Sequence, residues 1–243
     1  MHLASATDTR RAFVATWVVR NGLAELGGIA LAAAAAIGLA RAFGEPDTLG
    51  ERLLSYAAML AAGAVEGLLL GLAQSTLLRR RLPGLSVRRF TLATVAVATL
   101  AWAVGMAAPT FGPASAPSAA PPEEPSFLLV AAVSAGGGAL GGLLFALAQR
   151  VELRRHVAST RAWIGASVLG WALALPLDMV GATLPDATSS AETILLSAAL
   201  FGLLAGAAYA LPTAFVAFRM GAPQKAHDTT ALAHDEPEVG AFV

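Results

Sequence analysis

The sequence predicts an all-α integral membrane protein of six transmembrane helices, arranged as three tandem helical hairpins of the same orientation. Three observations carry that prediction. Hydrophobic residues make up 56% of the chain and charged residues only 13%, a balance too apolar for a water-soluble domain of 243 residues. Six apolar stretches each reach the ~20 residues that cross ~30 Å of hydrocarbon, and none alternates with the period of two that a barrel strand needs. A motif also recurs: GLAQSTLLRRR closes the second stretch at Gly71 to Arg81, and ALAQRVELRRH closes the fourth at Ala146 to His156.

Residues 1–12 form a short polar leader that resembles a signal-peptide n-region. The apolar run behind it is too long and lacks a clear release site, so 13–43 reads as the first membrane helix. The others are expected near 53–78, 90–109, 127–149, 163–184 and 194–218. Together they define a membrane domain over 13–218, with hairpins at about 13–80, 87–156 and 161–218. A disordered cytoplasmic tail over 219–243 follows. GPASAPSAAPPEEP, Gly112 to Pro125, has the composition of an extended linker.

Charge sets the orientation. The loop after the second helix carries Arg79, Arg80, Arg81, Arg88 and Arg89, and the loop after the fourth carries Arg150, Arg154, Arg155 and Arg161. The other three loops hold only Arg41 and Arg52, so the positive-inside rule puts both Arg-rich loops and both termini in the cytoplasm. The Ala, Gly and Arg richness points to a GC-rich bacterial genome, which makes the bacterial inner membrane the expected address. The lipid bilayer is then the first partner, with a membrane protein or a second copy of the chain as a further one. A net charge of zero offers nothing to nucleic acid.

The repeat extends upstream of each motif. Gly63, Gly67, Gly71, Gln74 and Leu78 fall within a stripe of about 80° at about 100° per residue. Gly138, Gly142, Ala146, Gln149 and Leu153 trace the same stripe on the fourth helix, and Gly202, Gly206, Tyr209 and Thr213 a looser copy on the sixth. Glycines four apart let helices approach closely in lipid, so Gly63, Gly67, Gly71, Gly138, Gly142, Gly202 and Gly206 are assigned to helix packing. Gln74 and Gln149 lie on the same faces, where a buried amide needs a partner. A neighbouring backbone or loop carbonyl is the expected one.

The odd helices repeat as well. Trp17, Asn21 and Ala24 align with Phe90, Thr94 and Val97, and with Trp163, Ser167 and Gly170. Trp17, Phe90 and Trp163 are evenly spaced, about 73 residues apart, as tandem hairpins require. Their matching depth predicts an interfacial aromatic belt. An odd helix opening as W-x-x-x-N/S (WVVRN, WIGAS), with an even helix closing as G-x-x-x-small-x-x-Q-x-x-x-L-R, resembles a group of uncharacterised bacterial multi-pass membrane proteins. Phe90 and Tyr209 depart from that pattern. The resemblance spans most of residues 13–215 and implies the fold but no activity.

Ionisable residues inside the bilayer are costly and are therefore the functional candidates. Glu66 lies ~18 Å from the cytoplasmic end of its helix and Glu25 ~12 Å in. Asp178 follows Pro176 toward the outer end of the fifth helix. The sequence supports a protonatable or cation-binding pair, Glu66 with Glu25, as one reading and structural hydrogen bonding as the other. No such carboxylate repeats, because Gly141 and Phe201 hold the positions equivalent to Glu66.

Enzymatic readings find little support. There is no cysteine, and His2, His156, His227 and His234 all belong to termini or a loop. No His-Glu-x-x-His, Gly-x-Ser-x-Gly or phosphate-binding glycine loop is present, so neither cofactor nor metal is expected. The expected role is a non-enzymatic scaffold or accessory subunit. A small permease or channel using the intramembrane carboxylates is the alternative.

Overall fold

The computed structural model describes residues 6–112, 126–186 and 188–220. Six helices account for nearly all of them: α1 Ala6–Phe43, α2 Leu49–Arg81, α3 Val87–Phe111, α4 Phe127–Leu153, α5 Arg161–Thr183 and α6 Ala191–Met220. All six are long and apolar enough to cross a membrane, and the described residues contain no strand. Every helix overruns the apolar stretch that announces it or matches it closely. α1 begins within the expected leader, and α6 takes in Arg219 and Met220 from the expected tail; the rest of the tail and most of the Pro-Ala-Ser stretch lie outside the described residues.

Local chemistry sets the helix ends. Thr48 and Glu51 make a reciprocal capping box at the start of α2. Ser86 caps α3 by accepting from the Arg89 amide, and Ser126 caps α4 by accepting from the Leu129 amide. Gly44 follows the end of α1 at φ +68°, a conformation that disfavours a side chain.

The helices close into a ring. α1 packs against α2 and α6, and α2–α3, α3–α4, α4–α5 and α5–α6 are in contact in turn, with α3–α4 the thinnest seam. Glycine stripes build three of these seams, each joining an even helix to the odd helix beyond it. Side chains at Gly63, Gly67 and Gly71 would collide with Trp102, Val95, Ala98 and Thr91 of α3. At Gly138 and Gly142 they would strike the Trp171 and Ser167 carbonyls of α5, and at Gly202 and Gly206 they would crowd Glu25, Leu26, Asn21 and Gly22 of α1. The third stripe is the one that joins the last helix to the first.

The outside of the ring is apolar. Leu53, Leu72, Leu92, Val104, Leu140, Leu173, Leu196 and Leu204 are exposed, while the buried set includes Asn21, Glu25, Glu66, Gln74, Gln149, Ser167 and Thr213. This inversion of the usual soluble pattern is what an apolar solvent favours.

Gly138 and Gly136 provide a direct test of the seam. Gly138→Ala places a methyl against the Trp171 backbone carbonyl, which cannot rotate away, whereas Gly136 faces open space. Gly138→Ala is expected to lower stability in detergent by about 1–3 kcal/mol, and Gly136→Ala to hold or slightly raise the thermal unfolding midpoint.

Candidate functional site: a layered polar interior

The residues that repeat along the sequence converge in the middle of the ring, in layers. Trp17, Phe90 and Trp163 come first, all fully buried. Trp163 meets Trp17 edge-on with ring centroids 6.2 Å apart and Phe90 with centroids 6.4 Å apart. The Trp17 indole donates to Thr213 Oγ1 at 3.1 Å. The expected interfacial belt is therefore incorrect for these three residues. Their rings face inward because the indole N–H groups find acceptors there, and the aromatic faces find one another.

One turn deeper lies a network of side chains. Gln74 Nε2 donates to Asn21 Oδ1 at 3.0 Å and to the Tyr209 hydroxyl at 3.2 Å. Gln149 Nε2 donates to Gln74 Oε1 at 3.2 Å and to Thr94 Oγ1 at 3.0 Å, and Gln149 Oε1 accepts from the Trp163 indole at 3.0 Å. Both amide N–H2 groups thus use both protons. The expectation that backbone or loop carbonyls would partner the two glutamines is corrected: their partners are other side chains. Residues from all six helices take part, since Asn21, Gln74, Thr94, Gln149, Trp163 and Tyr209 lie on α1 to α6 in turn. Tyr209, which departs from the repeated glutamine, supplies an acceptor that the two amides leave in demand.

The carboxylates form the next layer. Glu25 on α1, Glu66 on α2 and Asp178 on α5 are all buried. Glu25 lies within electrostatic reach of both Glu66 and Asp178, and Asp178 of Glu66. Glu66 accepts a 2.7 Å hydrogen bond from the Trp102 indole, and its side chain lies directly over Gly28. Asp178 Oδ1 is buried without a hydrogen-bond partner among the described residues. The structure therefore adds Asp178 to the Glu25–Glu66 pair that the sequence suggests. These groups do not form a cluster suited to a metal ion among the described residues. His156 pairs with Glu152 instead; His2, His227 and His234 lie outside the described residues.

Trp102 and Glu152 were not legible as site residues. Trp102 lies on the apolar third helix outside the Trp17–Phe90–Trp163 spacing, and nothing in the sequence pairs it with Glu66. Glu152 stands where the first copy of the motif has Leu77, the one acidic residue among the arginines. It accepts from the Ser86 amide at 2.8 Å and lies 3.9 Å from Arg89 and 3.8 Å from Arg155, tying the α2–α3 connection to the end of α4. Arg81 performs the matching task for α6, donating to the Phe218 carbonyl at 2.6 Å with its guanidinium 4.3 Å from the Phe218 ring.

No protein-family model, curated protein or solved structure matches this chain. Its geometry is the ground for any functional reading.

Gln149→Leu removes three hydrogen bonds and is expected to cost about 2–3 kcal/mol, at roughly 1 kcal/mol per bond in an apolar interior. Trp163→Phe removes one and should cost about 1 kcal/mol. A double-mutant cycle by denaturant titration in detergent should show positive coupling between them; strict additivity would break the network assignment.

Proposed function

We propose that this chain is a non-enzymatic multi-pass protein of the bacterial inner membrane, acting as a scaffold or accessory subunit. In this reading it comprises three tandem hairpins of the same orientation, with both termini in the cytoplasm. The supporting observation is the amide network that links all six helices. The repeated aromatic and amide residues spend their hydrogen-bonding capacity on one another across all six helices, which builds a rigid body. The surfaces left to engage a partner are the apolar exterior and the Arg-rich end. Lipid is one such partner, and a membrane protein or a second copy of the chain is the other.

A second reading, a small permease or channel, draws support from one specific observation. Glu25, Glu66 and Asp178 come from three helices and are brought into mutual electrostatic reach inside the ring. Carboxylates so placed can share and exchange a proton.

The absence of cysteine makes topology directly testable. Single-cysteine variants at Ser86 and Thr188 should separate cleanly: an impermeant maleimide added outside spheroplasts labels Thr188→Cys and spares Ser86→Cys. The opposite pattern reverses the orientation. In mild detergent, light scattering should report a species of fixed stoichiometry heavier than one 24.6 kDa chain; a monodisperse single chain would remove the accessory role.

The carboxylate reading makes a separate demand. Wild-type proteoliposomes should carry proton or cation flux above empty vesicles, and Glu66→Gln should reduce it at least tenfold. Equal background flux in both dismisses transport through Glu66.

A further inference from the structure

The arginines at one end of the ring divide into two groups. Arg89 and Arg155 pair with Glu152, and Arg81 is bound to the end of α6. Arg79 and Arg88 have no ion pair or hydrogen bond among the described residues, and both line a groove of about 670 Å³ between α2 and α3. The floor of that groove is Leu85 and Thr91, and its outer walls are Leu68, Leu72 and Leu92. Leu68, Leu72 and Leu92 are 42%, 40% and 55% exposed, so the groove opens to the apolar outside of the ring.

We propose that this groove binds one anionic glycerophospholipid, with its phosphate held by Arg79 and Arg88 and an acyl chain laid along Leu72, Leu92 and Leu68. Charge and depth select this occupant. Two unpaired guanidiniums complement a phosphate diester, each able to donate in a fork. The first turn of α3, where Ser86 caps only the Arg89 amide, adds the positive end of its helix dipole. Leu72 lies seven residues from Arg79 along α2, ~10 Å deeper at 1.5 Å per residue, which is acyl depth when the arginines sit at the headgroups. The site rests on the membrane reading above.

The chain contains its own control. Arg154 and Arg161 occupy the corresponding places in the second Arg-rich loop, but neither lines this groove, and the connection between them lacks the Pro83-Gly84 step, where Gly84 turns at φ +97°. Loss of Arg154 and Arg161 removes the same charge from the same end without touching the groove.

Native mass spectrometry from detergent, with phosphatidylglycerol or phosphatidylcholine added, tests the site. Wild type should retain one phosphatidylglycerol and little phosphatidylcholine. Arg79→Gln with Arg88→Gln should weaken retention roughly 30-fold, the effect of two interfacial arginines at about 1 kcal/mol each. Arg154→Gln with Arg161→Gln should retain it. Leu92→Trp, which fills the groove without changing charge, should also lower retention, and thermal unfolding confirms that each variant is folded. Equal losses in the two arginine pairs, equal retention of the two lipids, or displacement by millimolar glycerol phosphate overturns the assignment. Alkaline carbonate extraction separates the two levels: a chain released from the membrane overturns the membrane reading and the site with it, whereas a chain that stays embedded but shows no lipid preference overturns the site alone.

Discussion

The hydrogen bond between Gln149 and Gln74 is the interaction on which the rest of the interior depends. It joins α4 to α2 across the ring, and each amide then recruits two further helices. In a low-dielectric interior an unpartnered amide costs several kcal/mol, so the pair constrains the vertical register of every helix it reaches. A shift of one residue moves a helix by ~1.5 Å, enough to break a 3 Å hydrogen bond. The glycine seams answer the same constraint from the side. They bring backbones close enough for side chains as short as Thr94 and Asn21 to reach the centre.

The polar groups are stacked by kind. The Trp17, Phe90 and Trp163 rings lie nearest the Arg-rich end, amides and hydroxyls follow, and the carboxylates, with the Trp102 indole on Glu66, come after them. Each even helix packs its glycines on the odd helix beyond, and α6 does so on α1, so the ring closes by the same device that builds it. The carboxylate layer alone breaks this regularity. Gly141 faces open space and Phe201 packs over Gly181, where the first sector has Glu66 over Gly28. One side of the ring is therefore chemically distinct from the other two.

At the Arg-rich end, Glu152 separates arginines that brace the structure from arginines that remain available. The brace is local, since it fixes the α2–α3 connection against α4. The first connection turns at Pro83-Gly84 and leaves beside it a groove lined by Arg79 and Arg88.

Much of the fold was legible in the sequence because hydrophobic length, charge asymmetry and the spacing of Gly, Gln and Trp are properties of the chain itself. Apolar runs determine six helices, since backbone groups in an apolar stretch of that length must bond within the helix. Glycine spacing determines which faces can approach closely. Only the tertiary structure decided what those faces meet. The positions of Trp17 and Trp163 along the chain predict an interfacial belt, yet rotation about the helix axis turns them inward, and that rotation follows from where acceptors such as Thr213 and Gln149 stand on other helices. The same holds for Glu66, Glu25 and Asp178. Their cost inside an apolar helix is visible residue by residue, but their meeting depends on ring closure, a non-local fact that no single helix encodes.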